Sequence, residues 1–563
     1  MTDAPPVSDP TEGSGADLLA AVHAWIAQDP DPETRSTLEE LVDNGDDTEL
    51  AELFGAPLAF GTAGLRAPLG AGPARMNRLV VRQATAGFAA WLIEQGHGGG
   101  LVVVGHDARH GSRAFAEDTA AVLVAAGFSA ALSQSYVPTP LVAFATTHLG
   151  AVGGIQVTAS HNPPADNGYK VYLGDGAQIV SPADREIEVH IRSAAAGLVP
   201  VSSFPHPSIS TWGAEIADAY LAGVVGIDPA TSTAAERNAL RIVYTAMHGV
   251  GAATVQAAFA RTGFTKLSAV AEQEQPDPDF PTVAFPNPEE PGALDLSFKL
   301  ARSVDAHIVI ANDPDADRMT AAIPDPSVSG GWRPLRGDEI GWLLADHLLD
   351  ATASLGAARF VATTVVSSSL LSAIAAHHGV EYAETLTGFK YLARASMARP
   401  HLTTVLMYEE AIGFCVGPLV KDKDGISAAV AMADLAARVL ADRSTMVERL
   451  AQVAKRYGAS RTSQWSIRFD GSDAQAKMAE LMGTLRGNPP TSLDGVPVTE
   501  WRDLALGETP ADVVVIKVGD RGRVVVRPSG TEPKCKVYFE VLGEDSQPSL
   551  AGLRSAMEQV LVA

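Results

Sequence analysis

Short runs of β-branched and aliphatic residues recur along this chain, each emptying into a polar cluster and followed by an alanine- and leucine-rich stretch. Leu101–Val104 runs into Gly105-His106-Asp107-Ala108-Arg109, and Gly154–Val157 into Thr158-Ala159-Ser160-His161-Asn162-Pro163. Ile242–Thr245 precedes Met247-His248-Gly249-Val250-Gly251, and His307–Ala311 precedes Asp313-Pro314-Asp315-Ala316-Asp317-Arg318. Val361–Val366, Val405–Tyr408 and Val524–Val526 lead likewise into Ser367-Ser368-Ser369, Glu409-Glu410 and Arg527-Pro528-Ser529-Gly530-Thr531. Apolar runs of this length read as strands, and their alternation with helical stretches predicts α/β layers with largely parallel or mixed sheets. Ligands of such sheets gather outside the carboxyl ends of the strands, where each of these clusters falls. Ordinary polar loops account for one or two such clusters but poorly for unusual groupings at most of them, so a shared site is expected. Ahead of this pattern, Leu18, Leu19, Val22 and Trp25 lie at helical spacing and predict one or two amphipathic helices over residues 17 to 54. Residues 1 to about 16 read as a mobile tail.

Length and charge narrow the picture. At 563 residues the chain exceeds what one hydrophobic core supports, so three or four domains are expected. A net charge of −24 argues against a nucleic-acid partner, which requires a basic face, yet leaves room for a local basic cleft that takes an anionic small molecule. Cys415 and Cys535 lack metal-ligand spacing and read as two buried, reduced thiols. Thr119 to Ser160 contains no Asp, Glu, Lys or Arg, but Gly127, Pro138 and Pro140 interrupt it. It therefore reads as buried helix and strand pieces, not a membrane span. The N-terminus has no basic region followed by an apolar stretch, so a cytoplasmic protein without a membrane partner is expected.

The clusters carry the chemistry. Asp313, Asp315 and Asp317 fall at i, i+2 and i+4, which in an extended segment puts three carboxylates on one face. Such a group repels itself unless a cation sits between its members, and oxygen-only ligation suits Mg²⁺. An EF-hand is excluded because its sixth and twelfth loop positions are Arg318 and Pro324. Arg318 is placed to pair with a phosphate. Ser160 supplies a hydroxyl nucleophile, with no Gly-x-Ser-x-Gly elbow to favour acyl transfer. No Gly-Lys dipeptide occurs, so ATP is not the expected phosphoryl donor. Lys170 is a candidate general acid/base if nearby cations lower its pKa. The Arg527 to Lys534 segment, with Ser529, Gly530 and Thr531, reads as a site for a phosphate that is held and not transferred.

Taken together, Ser160 with its flanks, the aspartate cluster, Glu409-Glu410 and the Arg527 loop resemble, in that order, the α-D-phosphohexomutase superfamily over nearly the whole chain. Gly61-Thr62-Ala63-Gly64-Leu65-Arg66, Asp166-Asn167-Gly168-Tyr169-Lys170, Thr387-Gly388-Phe389-Lys390 and Asp422-Lys423-Asp424-Gly425 are similar to the branch holding phosphoglucomutase/phosphopentomutases and bacterial phosphoglucomutases or phosphomannomutases.

The resemblance implies an α/β protein of four domains around a central cleft, three related mixed-sheet domains and a smaller α+β C-terminal one. The expected boundaries are 1–54 for the tail and helices, then 55–215, 216–335, 336–455 and 456–563. It implies a Ser160 that is phosphorylated and, with Asp313, Asp315 and Asp317, holds Mg²⁺. Arg66, His161, Lys170 and Arg318 would complete the catalytic group. His106, Arg109, Thr387, Gly388, Lys390, Glu409, Glu410, Lys423, Arg527, Ser529, Gly530 and Thr531 would bind sugar phosphate. A hexose 1,6-bisphosphate would be the intermediate and activator. Many hexomutases carry Glu-x-Ser-Gly in the sugar loop, whereas this chain reads Glu409-Glu410-Ala411-Ile412-Gly413. Glucose phosphate is the first expectation for the substrate, mannose phosphate the second and a pentose phosphate the third, with a non-catalytic sugar-phosphate-binding protein as the alternative from another class.

Overall fold

The computed structural model describes residues 15–62, 64–469, 473–507, 510–529, 534–543 and 548–562. Residues 1–14 of the expected tail, Ala63, and the loop residues Gly530 and Thr531 lie outside the described residues. The chain divides into two compact units. The first holds residues up to Asp228, Arg241–Met319 and Leu419–Val430, and the second holds Pro229–Leu240, Thr320–Pro418 and the chain from Ala431 onward.

Where one or two N-terminal helices were expected, three form: Gly15–Ile26, Pro32–Asn44 and Asp47–Phe54. The breaks are chemical. Asp31 caps the second helix by accepting the Glu33 N–H, with Pro32 in its first turn. Gly45 ends that helix at φ +66°, and Asp46 caps the third through the Glu49 N–H. Val22, Leu38, Leu50 and Leu53 form their small core.

The first unit then builds a six-stranded mixed sheet from β1 (Leu65–Pro68), β2 (Leu101–His106), β3 (Ser129–Ser133), β4 (Gly153–Val157), β5 (Asp166–Leu173) and β6 (Ile209–Trp212), in the order β1-β5-β4-β2-β3-β6. β4, β2, β3 and β6 run parallel, while β5 is antiparallel to both β4 and β1. Val102, Val104, Ile155 and Val157 of the central strands pack under Phe88, Trp91 and Phe115. The charge-free stretch folds into the end of helix Ser112–Ala125, β3, helix Thr139–His148 and β4. Among the described residues no helix is long and apolar enough to cross a membrane. The same unit contains parallel β7 (Ile242–Thr245), β8 (Leu267–Ala269) and β9 (Ile308–Asn312), with β7 between the other two.

In the second unit, β10 (Met319–Pro324), all but its first residue, and β11 (Trp332–Pro334) form an antiparallel hairpin. β12 (Arg359–Thr364), β13 (Glu381–Thr385), β14 (Thr403–Glu409) and β15 (Gly413–Val416) form a sheet in the order β13-β12-β14-β15, parallel except for β15. The C-terminal sheet is wholly antiparallel, β16 (Ser460–Arg468), β17 (Ser492–Leu493), β18 (Val496–Asp503), β19 (Val514–Val518), β20 (Gly522–Pro528) and β21 (Lys534–Leu542), in the order β16-β21-β20-β19-β18-β17. Helices Ala474–Gly487 and Leu550–Val562 supply Met482, Leu485, Leu553 and Met557 to its core. Both cysteines are buried and unbridged.

Candidate active site

Ser160 stands just beyond the carboxyl end of β4 with φ +54°, a left-handed conformation that costs a non-glycine residue about 1 kcal/mol or more. Three groups hold it there. Its N–H donates to Thr158 Oγ1 at 2.9 Å, its carbonyl accepts from Arg109 Nη2 at 2.5 Å, and its hydroxyl donates to Asp313 Oδ2 at 2.8 Å. His161 Nδ1 lies 3.2 Å from the same hydroxyl. Burial, then the cations Arg318 and Arg66, keeps the His161 ring well below its ordinary pKa and therefore neutral. Arg66, on β1, donates to Asn162 Oδ1 at 3.1 Å and borders the serine loop.

The three aspartates follow β9 and are fully buried, with ligand atoms within 4.8 Å of one another. They converge for a reason other than the expected one. The segment is a turn and not an extended strand: Ala316 has φ +56°, its N–H closes onto the Asp313 carbonyl, and Arg318 N–H returns to Asp313 Oδ1.

A cradle shapes that turn. Val250 N–H donates to the Pro314 carbonyl at 2.7 Å, and Gly249 lies so close that a Cβ would sit 2.3 Å from Pro314 Cα. Met247-His248-Gly249-Val250-Gly251, which the strand-end pattern places in a shared site, thus acts through its backbone. Asn312 Nδ2 caps the Arg318 carbonyl at 2.6 Å, and Gly425 packs against the same carbonyl.

The charges are arranged in opposition. Lys170, from the middle of β5, donates to Asp315 Oδ2 at 2.6 Å and Asp317 Oδ2 at 2.8 Å, and Lys423 Nζ lies 3.3 Å from Asp317. Burial, then Asp315 and Asp317, pushes the Asp313 carboxyl well above its ordinary range. Burial also opposes ionisation of Asp315, but Lys170 and the Thr139 hydroxyl outweigh it and hold that carboxyl far below the ordinary range. For Asp317, burial and the Asp315 charge are overcome by Lys170, Lys423 and Arg318. Lys170 itself differs from expectation. Burial favours its neutral form, yet Asp315 and Asp317 prevail and raise its pKa, so it is a cation here.

Arg109, expected as a substrate ligand, is engaged with the serine loop. Its Nη1 donates to the Pro163 and Asp166 carbonyls, its Nη2 to those of Ser160 and Asn162, and its Nε lies 3.4 Å from Asp107. Its four Nη bonds all go to backbone carbonyls, and its buried Nε has the Asp107 charge beside it without a hydrogen bond among the described residues. His106 is turned onto its neighbour's backbone, Nδ1 lying 2.7 Å from the Asp107 carbonyl. Lys423 is delivered by a loop pinned on both sides. Asp422 accepts from the Tyr172 hydroxyl at 2.9 Å and from Gln178, and Asp424 accepts from the Tyr220 hydroxyl at 2.8 Å.

The second unit gathers the other expected residues. Glu409 ends β14 and accepts the Gly388 N–H at 2.8 Å, fixing the Thr387-Gly388 turn, where φ +119° requires glycine. The Thr387 hydroxyl is buried without a hydrogen-bond partner among the described residues. Lys390 Nζ lies 5.5 Å from the Tyr391 ring centre. Glu410 is held by Ser367, which receives its N–H at 3.0 Å and donates to its carboxylate at 3.2 Å. Burial, then Glu410, lifts the Tyr538 phenol well above its ordinary pKa, with Arg527 bonded to it and opposing. Ser529 N–H donates to the Lys534 carbonyl at 2.8 Å.

Thr139, Asn312 and Tyr538 are among the contributors that the sequence pattern does not single out. Only the Pro138-Thr139-Pro140 spacing after a strand offered a signal for the first.

Buried carboxylates beside a serine hydroxyl, on α/β domains with an antiparallel C-terminal one, match what the resemblance to the phosphohexomutases implies. Four family models match in order: phosphoglucomutase/phosphomannomutase α/β/α domain I over residues 57–197, domain II over 218–326, domain III over 336–457 and the C-terminal domain over 467–558. The chain belongs to the phosphoglucomutase/phosphomannomutase family of the α-D-phosphohexomutase superfamily and is an intramolecular phosphotransferase. It is 40% identical to "Probable phosphomannomutase" of Haemophilus influenzae over 84% of this chain and 94% of that one. It is 35% identical to "Phosphopentomutase" of Mus musculus over 100% of this chain and 97% of the relative. Among solved structures, a phosphoglucomutase/phosphomannomutase family protein from Burkholderia thailandensis shares the fold, with a TM-score of 0.67 at 21% identity over 90% of this chain and 96% of that chain.

Proposed function

We propose that this phosphosugar mutase interconverts the 1- and 5-phosphates of a pentose, ribose or deoxyribose, through a phosphorylated Ser160. The hydroxyl of Ser160, 2.8 Å from Asp313 inside the buried carboxylate group, carries the reading. In the cycle, phosphoserine gives its phosphoryl group to the free hydroxyl of a sugar monophosphate. The bound bisphosphate turns around, and its opposite phosphoryl group returns to Ser160. Neutral His161 takes the proton of the sugar hydroxyl, and cationic Lys170 donates one when the reverse transfer frees a hydroxyl. Arg318 and Arg66 balance charge on the transferring group. Arg527 and Ser529, with Gly530 and Thr531, hold the phosphate that does not react, so remote binding energy orients the reacting hydroxyl.

Asp315 Oδ1 and Asp317 Oδ1 are buried and accept no hydrogen bond among the described residues, which fits a hard cation held by oxygen ligands alone. Asp313, Asp315 and Asp317 would hold Mg²⁺ with a phosphoserine oxygen. The ion would supply neutralisation of charge on the transferring phosphoryl group. A trace of sugar bisphosphate would prime Ser160. Free thiols and phosphorylated sugar substrates support a cytoplasmic setting.

Two observations move the sugar away from the first expectation of glucose. The phosphopentomutase relative aligns along the whole chain, and Ala411 stands where many hexomutases carry the sugar-loop serine. A missing hydroxyl partner is what separates similar sugars. Mannose phosphate is the second reading, supported by the 40% identical relative. The test is a coupled assay of ribose, deoxyribose, mannose and glucose 1-phosphates with Mg²⁺ and a trace of bisphosphate, on wild type and Ser160→Ala. Fastest turnover of a pentose phosphate, abolished by the substitution, is expected. Preference for a hexose overturns the sugar, and turnover that survives Ser160→Ala overturns the mechanism.

A further inference from the structure

Arg109 spends its guanidinium on the serine loop, and the far face of that guanidinium is covered by an aromatic ring from a different part of the first unit. Phe280 is buried, with its ring centre 4.9 Å from Arg109 Cζ. It sits at φ +46°, a conformation a bulky residue adopts only when its surroundings impose it. The turn that imposes it is tied down at both sides. Phe280 N–H donates to the Asp277 carbonyl and Asp277 N–H to the His248 carbonyl, at 3.2 and 3.0 Å. Asp279 pairs with His110, the neighbour of Arg109, at 2.8 Å. His248 belongs to the segment whose Gly249 and Val250 support Pro314 in the aspartate loop. One continuous set of contacts therefore runs from the Ser160 carbonyl through Arg109, Phe280, Asp277 and His248 to Pro314.

We propose that Arg109 and Phe280 are a pair of positioning residues that fix the nucleophile loop against the aspartate loop. Arg109 gathers four carbonyls from Ser160 to Asp166 and so holds Ser160 in its left-handed conformation. Phe280 keeps the guanidinium flat against that loop and links it to the support of Asp313–Arg318. A flat fork with five donors and an aromatic face is specific to arginine, so lysine cannot replace it. Neither residue is placed to touch substrate. Their effect is on the alignment of Ser160 Oγ with the reacting phosphoryl group, where a displacement of about 1 Å costs on the order of 100-fold in rate.

The proposal rests on Ser160 being the nucleophile, and its test separates the two. Wild type, Phe280→Leu, Phe280→Tyr and Arg109→Lys are compared by steady-state kinetics on the best sugar phosphate and by amide hydrogen exchange. Phe280→Leu is expected to lower kcat about 10- to 100-fold with KM within about 3-fold of wild type, and Phe280→Tyr, which keeps the ring, to restore most of the loss. Exchange should quicken at residues 159–167 in Phe280→Leu and Arg109→Lys while β4 stays protected. If Arg109→Lys does not fold, Phe280→Leu decides alone. A rise in KM with kcat retained makes Arg109 a substrate ligand and overturns the proposal, as does unchanged exchange of the loop. A wild type without mutase turnover overturns the functional reading instead, and the exchange measurement still decides the clamp.

Discussion

The Thr139 hydroxyl donates to Asp315 Oδ2 at 2.6 Å while the Thr139 N–H donates to the Asp315 carbonyl at 2.9 Å, so one residue fixes both ends of a carboxylate candidate ligand. Asp315 Oδ1 is buried and has no hydrogen-bond partner among the described residues. Replacing Thr139 with Val keeps the volume and the backbone bond but removes the hydroxyl. Partners of metal-ligating groups contribute about 10- to 100-fold in affinity, so Thr139→Val should weaken Mg²⁺ binding by that order while Thr139→Ser stays near wild type. A calorimetric Mg²⁺ titration of both variants checks it.

Mg²⁺ itself should stabilise the fold. A ligand that binds only the folded state adds stability in proportion to the logarithm of its concentration over Kd. The thermal unfolding midpoint should rise with Mg²⁺ in wild type and remain flat in Asp317→Asn. Chelation should abolish turnover, and added Mg²⁺ should restore it.

Gly249 has no room for a methyl group, since a Cβ would lie 2.3 Å from both Cα and the carbonyl oxygen of Pro314. These are backbone atoms and cannot swing aside. Gly249→Ala should cost about 1–3 kcal/mol and displace the aspartate loop, lowering both melting temperature and kcat. Gly483 lies inside helix Ala474–Gly487, and a Cβ there would meet nothing within 4 Å. Gly483→Ala should therefore stabilise that helix by about 0.5–1 kcal/mol and leave turnover unchanged. Thermal unfolding of the two variants side by side gives opposite shifts.

Asp338 lies buried beneath Ser368, whose N–H it accepts at 2.8 Å, and burial, reinforced by Glu540, pushes its carboxyl up to about 6. The Ser368 N–H, Thr462 and Arg336 oppose that rise. Between about pH 4 and 6 the folded protein keeps a proton that the unfolded chain has lost. Stability therefore falls as pH rises through this window, by about 3 kcal/mol in total, and is constant above it. Asp338→Asn removes this titration, so its stability relative to wild type should increase from pH 4 to pH 6.5. Urea unfolding across that range measures the difference, and parallel curves would refute it.

Much of this is legible in the residues alone. Ile242–Thr245 forms the strand its sequence predicts, and the other apolar runs differ from theirs by a few residues at the ends. Cys415 and Cys535 are buried as expected. Local chemistry suffices for such features, because apolar runs and caps act over a few neighbouring residues. Arg109 shows where that reading stops. Its position after β2 marked it for a site, but whether five donors meet a ligand or four carbonyls depends on residues 51 to 57 positions away. Lys170 shows the same for charge. Its partners lie 145 and 147 residues downstream, and their carboxylates reverse the pKa shift that cations were expected to cause.

The sequence by itself determined the α/β class, the strand-end clusters and the family, since these follow from periodicity and from residue types in order. Tertiary structure decided which atoms serve chemistry and which serve position. Ser160, Asp313, Asp315, Asp317, Lys170 and Lys423 meet through contacts between segments far apart in the chain, except for neighbours within the aspartate turn. Hydrogen-bond capacity is finite, and a donor satisfied by a distant backbone carbonyl has none left for a substrate.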